Sequence, residues 1–197
     1  MVADPQLLTE TQHARRTRII DAALALAAEG GYDAVLMREV AALAEVALGT
    51  LYRYFPSKEH LLASAMAREV VLLQDRLAER PPRGDTAVER VVDVVRRATR
   101  SLQHEPNATG AMLKAFVSAE PSMAPVLVEV GEAMVGIISG AIHDGAPSDR
   151  DRVVARSLQY VWMASLASWV NGLNAAADVT ADLEAAARVM LEGREGD

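Results

Sequence analysis

Apolar residues recur along this chain at the three- and four-residue spacing of amphipathic helices. No segment shows the two-residue alternation that is typical of a half-buried strand. Near the N-terminus, Ile20, Leu24 and Ala27 share one helical face, and Gly30 and Gly31 follow them. A glycine pair favours a helix end, because glycine readily adopts the left-handed C-cap conformation. The pattern predicts an all-α protein.

Prolines mark the boundaries of the predicted helices, because proline lacks a backbone donor and clashes with the preceding turn. They are Pro5, Pro56, Pro81, Pro82, Pro106, Pro121, Pro125 and Pro147. Together with the apolar pattern they predict nine helices, with Ser57 as the N-cap of the fourth. The expected ranges are about 10–29, 37–44, 48–54, 58–80, 86–104, 107–119, 125–143, 150–173 and 180–191.

Composition adds limits to this picture. With 51% hydrophobic and 24% charged residues among 197, the chain has enough apolar side chains for a substantial core. The absence of cysteine excludes disulfides and thiolate metal sites and favours a reducing compartment. The N-terminus lacks the layout of a secretory signal, and the apolar run 160–170 is too short to span a bilayer. We expect a cytoplasmic protein with no membrane partner.

The charge balance argues at first against nucleic acid as a partner. The formal net charge is −7, and residues 1–60 carry six Lys and Arg against eight Asp and Glu. Only the surface that faces DNA has to be positive, however. Any DNA-binding surface must therefore arise from the positions of the charges.

Residues 36–62 show the pattern of a helix, a tight turn and a second short helix. We expect Val40 and Leu43 of the first helix, Val46 in the turn, and Leu51 and Phe55 of the second helix to face inward. The outer face of the second helix is then free to enter a major groove, which admits one α-helix. From the residues alone, this face is expected to carry Leu48, Gly49, Thr50, Arg53 and Tyr54.

The run from Gly49 to Lys58, followed by Leu61 and Leu62, resembles the helix-turn-helix motif of the TetR/AcrR family of transcriptional regulators. The resemblance covers about residues 14–65, and the remainder matches that family in length and helix count. It implies a three-helix DNA-binding head, residues 1–57, and a helical ligand-binding and dimerisation body, residues 58–197. It also implies a ligand-responsive repressor that binds a palindromic double-stranded operator.

By this resemblance, the DNA contacts of the second helix fall on six residues. They are Leu48, Gly49, Thr50, Tyr52, Arg53 and Tyr54. For Tyr52 and Tyr54 the alternative is that their rings close the three-helix core.

Basic residues outside that helix have implied roles as well. Lys58 and Arg38 would each contact a phosphate, and Arg15, Arg16 and Arg18 resemble the basic N-terminal arm of many members. A solvated helix face is the alternative interpretation of the three arginines.

Two departures from the family pattern concern the caps and the turn. Leu36 and Met37 replace the threonine that commonly caps the helix predicted at 37–44, and Glu45 and Ala47 replace a frequent glycine and serine of the turn. We therefore expect the cap to come from elsewhere and Ala47 to make no side-chain phosphate contact.

A narrower resemblance is to the actinobacterial steroid-catabolism repressors (KstR-like). It rests on positions 31–41 and 46–62 and on Trp162 and Trp169, seven residues apart. It implies control of lipid or steroid catabolism genes and release by an acyl-CoA or steroid-type effector. Two alternatives remain open: a TetR-type multidrug or antibiotic sensor that controls an efflux pump, and a helical carrier or enzyme that has kept such a head.

The predicted effector site is a set of large apolar residues in the body, several of them the adaptable methionine. They are Met66, Val70, Met112, Phe116, Met134, Trp162 and Trp169. Ordinary core packing is the alternative for each of them. Lys114, within an apolar helix, either meets an acidic or phosphate group of a ligand or is a surface or ion-paired lysine.

One helix-turn-helix contacts too few base pairs for useful specificity, so a homodimer is expected. Its surface is predicted on the last two helices, along Ala164, Ala167, Ala185, Ala186 and Ala187. No nucleophile elbow, phosphate loop or dinucleotide-binding motif is present, so no enzyme activity and no cofactor are expected. A Glu-x-x-His pair, Glu10 and His13, has no second copy, so no metal is expected.

Overall fold

The computed structural model describes residues 9–118, 120–143 and 145–192. Within these ranges the chain forms nine α-helices, one short 3₁₀ helix at Pro121–Met123, and no strand. The helices are α1 (Glu10–Ala34), α2 (Met37–Leu43), α3 (Leu48–Tyr54), α4 (Lys58–Glu79), α5 (Ala87–Gln103), α6 (Pro106–Val117), α7 (Ala124–Ile142), α8 (Asp149–Val170) and α9 (Ala176–Leu191). The predicted all-α fold is confirmed.

Three helices begin with a capping box, in which the N-cap residue and the third helical residue satisfy each other's backbone N–H groups. The pairs are Thr9 with Gln12 in α1, Thr86 with Glu89 in α5, and Ser148 with Asp151 in α8. At α4 the hydroxyl of Ser57 accepts from the amide of His60 at 3.2 Å, as predicted for an N-cap. The helix starts are therefore largely encoded by local side chains.

The predicted break after the first helical segment lies at Gly30 and Gly31. Gly31 has φ 67°, in the left-handed region, and both residues depart from helical geometry. Helical structure then resumes as far as Ala34. The prediction located the break correctly but missed the turn that brings Tyr32 back into the helix.

The chain forms two compact units. The first combines Met1–Arg68 with Glu105–Leu127, and the second combines Glu69–His104 with Val128–Asp197. The predicted division between residues 57 and 58 stays a prediction.

In the first unit, α6 packs along α1 in the most extensive helix pairing of the described chain. Ile19, Ile20 and Ala27 of α1 are fully buried. The side-chain amide of Asn107 donates to the carbonyl of Ala28 at 3.0 Å. The first helix of the motif is therefore supported by a helix that lies about eighty positions later in the chain.

The second unit is built on the packing of α9 against α5 and α8. The indole N–H of Trp162 on α8 donates to the buried hydroxyl of Thr99 on α5 at 2.9 Å. The guanidinium of Arg90 donates to the carbonyls of Ala141 and Ile142 at the end of α7, at 2.9 and 3.2 Å. Polar contacts thus fix the packing of helices that are otherwise held by aliphatic side chains.

Among the described residues, the segment Pro121–Ile142 is long and apolar enough to cross a membrane by length and composition alone. Ile138 and Ser139 within it are fully buried, and its exposed Glu132 pairs with Arg156 at 3.0 Å. A buried face and a paired carboxylate are typical of a core helix in a globular unit.

Candidate DNA-binding surface

The turn between α2 and α3 is tight and hydrogen-bonded. The amide of Glu45 donates to the carbonyl of Ala42 at 3.1 Å, and the amide of Val46 donates to that of Ala41 at 3.0 Å. Glu45 has φ 54°, a left-handed conformation that is costly for a residue with a Cβ atom. This is one of the two positions where the sequence departs from the glycine and serine frequent in such turns.

The packing beneath α3 follows the prediction at three of the five inward positions. Val40, Leu51 and Phe55 are buried, whereas Val46 is half-buried. The inward position predicted for Leu43 is wrong, since 55% of this residue is exposed. The inner face of α2 is centred on Val40 and the two buried alanines Ala41 and Ala44, which leaves Leu43 at its edge.

The outer face of α3 presents two neighbouring rows at four-residue spacing. Leu48 and Tyr52 form one row, and Gly49 and Arg53 form the other, and all four are exposed. Thr50 is half-buried. An apolar side chain, an aromatic hydroxyl and a guanidinium therefore stand together on one side of a short helix.

Tyr54 does not belong to this outer face. Only 8% of it is exposed, and its ring centre lies 6.3 Å from that of Phe55. The outward position predicted for Tyr54 is wrong, because a residue three positions after the buried Leu51 returns to the inner side of the helix. By contrast, Tyr52 is 47% exposed, so core closure does not account for it.

Gly49 has no packing partner that would explain the absence of a side chain. A Cβ atom built at Gly49 would meet nothing within 4 Å. Its helical backbone does not require glycine either, since Leu48–Tyr54 is a regular helix. The open space above this backbone permits the close approach of another molecule.

The other predicted phosphate and arm residues lie on helices around this face. Arg38 on α2 has 77% of its side chain exposed and pairs with the adjacent Glu39 at 3.0 Å. Arg15 and Arg16 are half-buried within α1, and the guanidinium of Arg16 lies 5.4 Å from the ring centre of Phe55. Within the described residues these two arginines are therefore part of a helix, and DNA contact by them remains a prediction.

Lys58 is held at the start of α4 by contacts that the sequence did not reveal. Its ammonium group lies 3.8 Å from the ring centre of Tyr32 and donates to the Tyr32 carbonyl at 3.2 Å. The Tyr32 hydroxyl donates in turn to the carboxylate of Glu59. Tyr32, Lys58 and Glu59, which we call the Tyr32 cluster, join the end of α1 to the start of α4.

The Tyr32 cluster changes the acidity of two of its members. Partial burial, together with the hydrogen bond to Glu59 and its charge, raises the pKa of Tyr32 to about 12. Burial alone would raise the pKa of Glu59, but the hydrogen bonds from Tyr32, the backbone and Ser57 and the charge of Lys58 hold it below its ordinary value. The neutral phenol and the charged carboxylate are therefore the favoured states.

Lys114 of α6 approaches the same ring. Its ammonium group lies 4.3 Å from the Tyr32 ring centre and 3.5 Å from a carboxylate oxygen of Asp33. Of the two interpretations of Lys114, the structure therefore supports the ion pair.

The structure divides the predicted effector residues between the two units. Met66, Met112 and Phe116 belong to the first unit, and Val70, Met134, Trp162 and Trp169 belong to the second. Phe116 and Trp169 are half-buried and the other five are buried. The effector site remains a prediction, and Trp162 has the structural bond to Thr99 described above.

The alanines predicted to form the dimer surface do not all reach the surface. Ala164 and Ala185 are exposed, and Ala167 and Ala186 are half-buried. Ala187 is fully buried, so its predicted place on that surface is wrong, because it lies on the face of α9 that shares the core with Leu183 and Leu191.

A short helix set on a buried support by a tight turn, with its outer face exposed, is the architecture of a helix-turn-helix DNA-binding protein. The family model "Bacterial regulatory proteins, tetR family" matches residues 19–65, and "Tetracyclin repressor-like, C-terminal domain" matches residues 84–190. The chain belongs to the TetR family. It is a transcriptional regulator and not an enzyme, as the sequence predicted.

Curated relatives extend this likeness over nearly the whole chain. The chain is 40% identical to the HTH-type transcriptional repressor KstR of Mycolicibacterium smegmatis, over 99% of this chain and 96% of that one. It is 42% identical to the HTH-type transcriptional repressor KstR of Rhodococcus jostii, over 96% and 89%. The narrower resemblance drawn from the sequence is confirmed.

Solved structures share the fold. A TetR transcriptional regulator from Rhodococcus sp. RHA1 superposes with a TM-score of 0.86 at 32% identity, covering 94% of this chain and 100% of that one. Thermus thermophilus FadR, a TetR-family transcriptional repressor solved with lauroyl-CoA, superposes with a TM-score of 0.69 at 22% identity, covering 92% and 96%.

Proposed function

We propose that this protein is a homodimeric repressor that binds a palindromic operator through α3 and is released by an acyl-CoA or steroid-type effector. The observation that carries the proposal is the exposed face of α3, with Arg53 and Tyr52 beside the uncovered backbone of Gly49. The identity of about 40% to repressors named KstR supports repression as the outcome of DNA binding.

We propose that different side chains of α2 and α3 contact the bases and the phosphates of the duplex. Arg53 is suited to a guanine edge or a phosphate, since its guanidinium donates in a planar fork. Leu48 is suited to apolar contact with a thymine methyl group, and the hydroxyl of Thr50 to a phosphate. Arg38 would exchange its exposed pair with Glu39 for a phosphate, and such a surface pair costs little to break.

The second copy that a palindrome requires would pack on α8 and α9. Large apolar residues are exposed on α8, on α9 and in the turn between them. In a monomer these side chains would stay in contact with water. They are Val153, Tyr160, Leu173 and Val189. The exposed small residues Ala164 and Ala185 would allow helices to approach closely in a symmetric four-helix contact.

The proposed effector is hydrophobic and bears a thioester or a steroid skeleton. The lauroyl-CoA complex of the T. thermophilus relative supports an acyl-CoA ligand for this fold. Helix α4 begins in the first unit and ends in the second, so we propose that the effector acts on DNA binding through this helix. A coupling of about 1–3 kcal/mol would weaken operator binding roughly 5- to 150-fold.

The test begins with selection of the bound DNA sequence from a random duplex pool, followed by affinity measurements on that operator. We expect a two-fold symmetric site and an affinity that falls steeply with salt, since phosphate contacts release counterions. Arg53→Ala should weaken binding by about 1–3 kcal/mol, whereas the exposed Arg150→Ala on α8 should leave it unchanged. Salt-insensitive or absent duplex binding would instead favour a carrier or enzyme.

Effector class and dimerisation are tested on the same complex. Release by acyl-CoA thioesters or sterol derivatives supports the proposal, whereas release by cationic dyes alone would favour a multidrug sensor. Light scattering should give twice the chain mass for the wild type and a single chain mass for Tyr160→Glu. Val117→Glu, at an even more exposed apolar position in the other unit, should remain dimeric.

A further inference from the structure

The second unit contains a cleft of about 690 Å³ beside the end of α4 and the middle of α5. Six arginines line it: Arg76, Arg80, Arg83, Arg96, Arg97 and Arg100. The carboxylates of its lining are those of Glu79 and Asp93, so the cleft carries an excess of four positive charges. The whole chain has a formal net charge of −7, which makes this concentration of arginines unusual for the molecule.

One of these arginines has a structural role. The guanidinium of Arg97 pairs with Asp93 at 2.5 Å and donates to the carbonyls of Arg80 and Pro81, at 2.5 and 3.3 Å. Arg97 therefore connects α5 to the chain that directly follows α4. Such a contact satisfies carbonyls that have no partner within the helix.

The other arginines lack a comparable role. Within the described residues, the guanidinium groups of Arg76, Arg80, Arg83, Arg96 and Arg100 have no hydrogen-bond or ion-pair partner. Arg76 and Arg80 are one turn apart on one wall, and Arg96 and Arg100 are one turn apart on the other. Like charges at this spacing repel each other and destabilise a helix, so packing does not explain the arrangement.

The helix dipoles explain only part of the arrangement. Cations near the C-terminal end of a helix are favourable, which accounts for Arg76 and Arg80 at the end of α4 and for Arg100 at the end of α5. Arg96 lies in the interior of α5, at its tenth residue, beyond the reach of either terminus. On α5, Arg96 is therefore the arginine that neither a partner nor the helix dipole explains.

A second cleft of about 490 Å³ adjoins the first and shares Arg83, Asp93 and Arg96 with it. Its lining also includes Glu89, Glu184 and Arg188, so three carboxylates balance three arginines there. A molecule that occupies both clefts would place its anionic part among the arginines of the first cleft and an uncharged part in the second, where the charges balance.

We infer that the arginine cleft binds the phosphate groups of a nucleotide. Guanidinium groups bind phosphate through paired, charge-assisted hydrogen bonds, and four excess charges call for more than one anionic group. A single inorganic phosphate fills only a small part of 690 Å³, whereas a nucleotide has a sugar and a base that can extend from the arginines toward the second cleft.

This phosphate chemistry has two sources, a free nucleotide and the nucleotide end of a coenzyme A thioester. If the source is a coenzyme A thioester, the inference rests on the proposed acyl-CoA effector, and the cleft is the binding site for the nucleotide end of that effector. The experiment separates the two sources.

The test is calorimetric titration of the full-length protein, without DNA, with ATP, coenzyme A, 3′-dephospho-coenzyme A and inorganic phosphate. We expect the ligands with several phosphates to bind, and more weakly as salt rises. Arg96→Gln and Arg76→Gln, on opposite walls, should each weaken binding at least about tenfold, the loss of one charge-assisted contact. Arg152→Gln, an exposed arginine of α8 outside the cleft, should leave binding unchanged.

Each outcome bears on the inference. Tighter binding of coenzyme A than of ATP, lost without the 3′-phosphate, identifies the thioester source, and equal or tighter binding of ATP identifies a free nucleotide. If no ligand with several phosphates binds, or if Arg96→Gln and Arg152→Gln lose affinity equally, the proposed phosphate site in the cleft is wrong. In that event operator release by an acyl thioester can still occur, so the failures of the cleft and of the proposed effector are distinguishable.

Discussion

Lys58 and Tyr32 lie in direct contact, with the ammonium group 3.8 Å from the ring centre, although one begins α4 and the other lies in the last turn of α1. The neighbouring Glu59 accepts the hydrogen bond of the Tyr32 hydroxyl. Lys58 therefore has an internal partner before any DNA is bound. Loss of DNA binding in a Lys58 variant would combine a lost phosphate contact with a loosened α1–α4 junction, so Arg53 is the cleaner test of contact.

Alkaline pH should weaken the Tyr32 cluster. The folded protein holds the phenolic proton more tightly than the unfolded chain does, since its pKa is raised from 10.0 to about 12. The stability contributed by this proton is fully present below about pH 10 and is lost as the pH rises to about 12. Thermal melts across this range, with tyrosinate absorbance, should show a smaller alkaline loss for Tyr32→Phe than for the wild type. An identical loss in both proteins would contradict the assignment.

Acidic pH should weaken the Tyr32 cluster by protonating Glu59. The pKa of Glu59 in the folded protein is held below its ordinary value. The carboxylate therefore contributes to the free energy of unfolding above the ordinary carboxyl pKa, and this contribution is lost as the pH falls through the pKa of the folded protein. Glu59→Gln should therefore lose less stability on acidification than the wild type, measured by the same melts. An unchanged acid profile would show that Glu59 does not contribute.

The two tyrosines of α3 should respond differently to truncation. Tyr54→Ala removes a buried ring and should cost about 3–5 kcal/mol of stability, as for other large core aromatics. Tyr52→Ala removes an exposed ring and should change stability by about 0.5 kcal/mol or less, while it weakens operator binding. Denaturant unfolding and operator titration of both variants check this. A large stability loss in Tyr52→Ala would place that ring in the core.

Replacement of the turn residue Glu45 by glycine should stabilise the protein. A residue with a Cβ atom at φ 54° carries a strain of roughly 1–2 kcal/mol, which Glu45→Gly would relieve at some cost in chain entropy. We expect a net gain of about 1 kcal/mol in the free energy of unfolding. Glu45→Ala removes the same charge and keeps the strain, so it should show no such gain. Equal effects of both substitutions would assign the change to charge.

Loss of the acceptor in the hydrogen bond from Trp162 to Thr99 should destabilise the protein. Thr99→Val keeps the shape but leaves the indole N–H buried without a partner, which should cost about 1–3 kcal/mol. In a Trp162→Phe background the same Thr99→Val change should cost much less, because no donor remains. Additive losses in this double-mutant cycle would mean that the bond contributes nothing.

The helices were predictable because their signals are local. Capping residues such as Ser57, the break at Gly31 and the apolar spacing in α3 act within one or two turns of chain. The sequence predicts the start of α9 at residue 180, four residues too late. The first turn of α9 is capped by the carboxylate of Asp178, which accepts from the amide of Ala175 at 2.7 Å. That carboxylate lies inside the helix and is not recognisable as a boundary.

The site was less predictable where it depends on distant partners. Tyr54 and Leu43 were misplaced because the direction of a side chain on a seven-residue helix depends on its tertiary neighbours, and seven residues give a weak periodic signal. The contacts of Tyr32 with Lys58 and Lys114 join residues more than twenty-five positions apart, and nothing in their local sequence indicates them. The arginine cleft likewise combines residues of α4, of α5 and of the turn between them, and their separate positions in the sequence do not show that they line one cleft.

The pairing of α6 with α1 means that the DNA-binding unit is discontinuous in sequence. A chimera that joins the first 68 residues to the body of another regulator would leave the α6 side of α1, including the carbonyl of Ala28, without its native cover. Exchange of operator specificity between relatives should therefore succeed by grafting α3 alone, or by transferring residues 105–127 together with the N-terminal segment. During synthesis, likewise, the ribosome must extend the chain well past residue 117 before α1 can acquire its full packing.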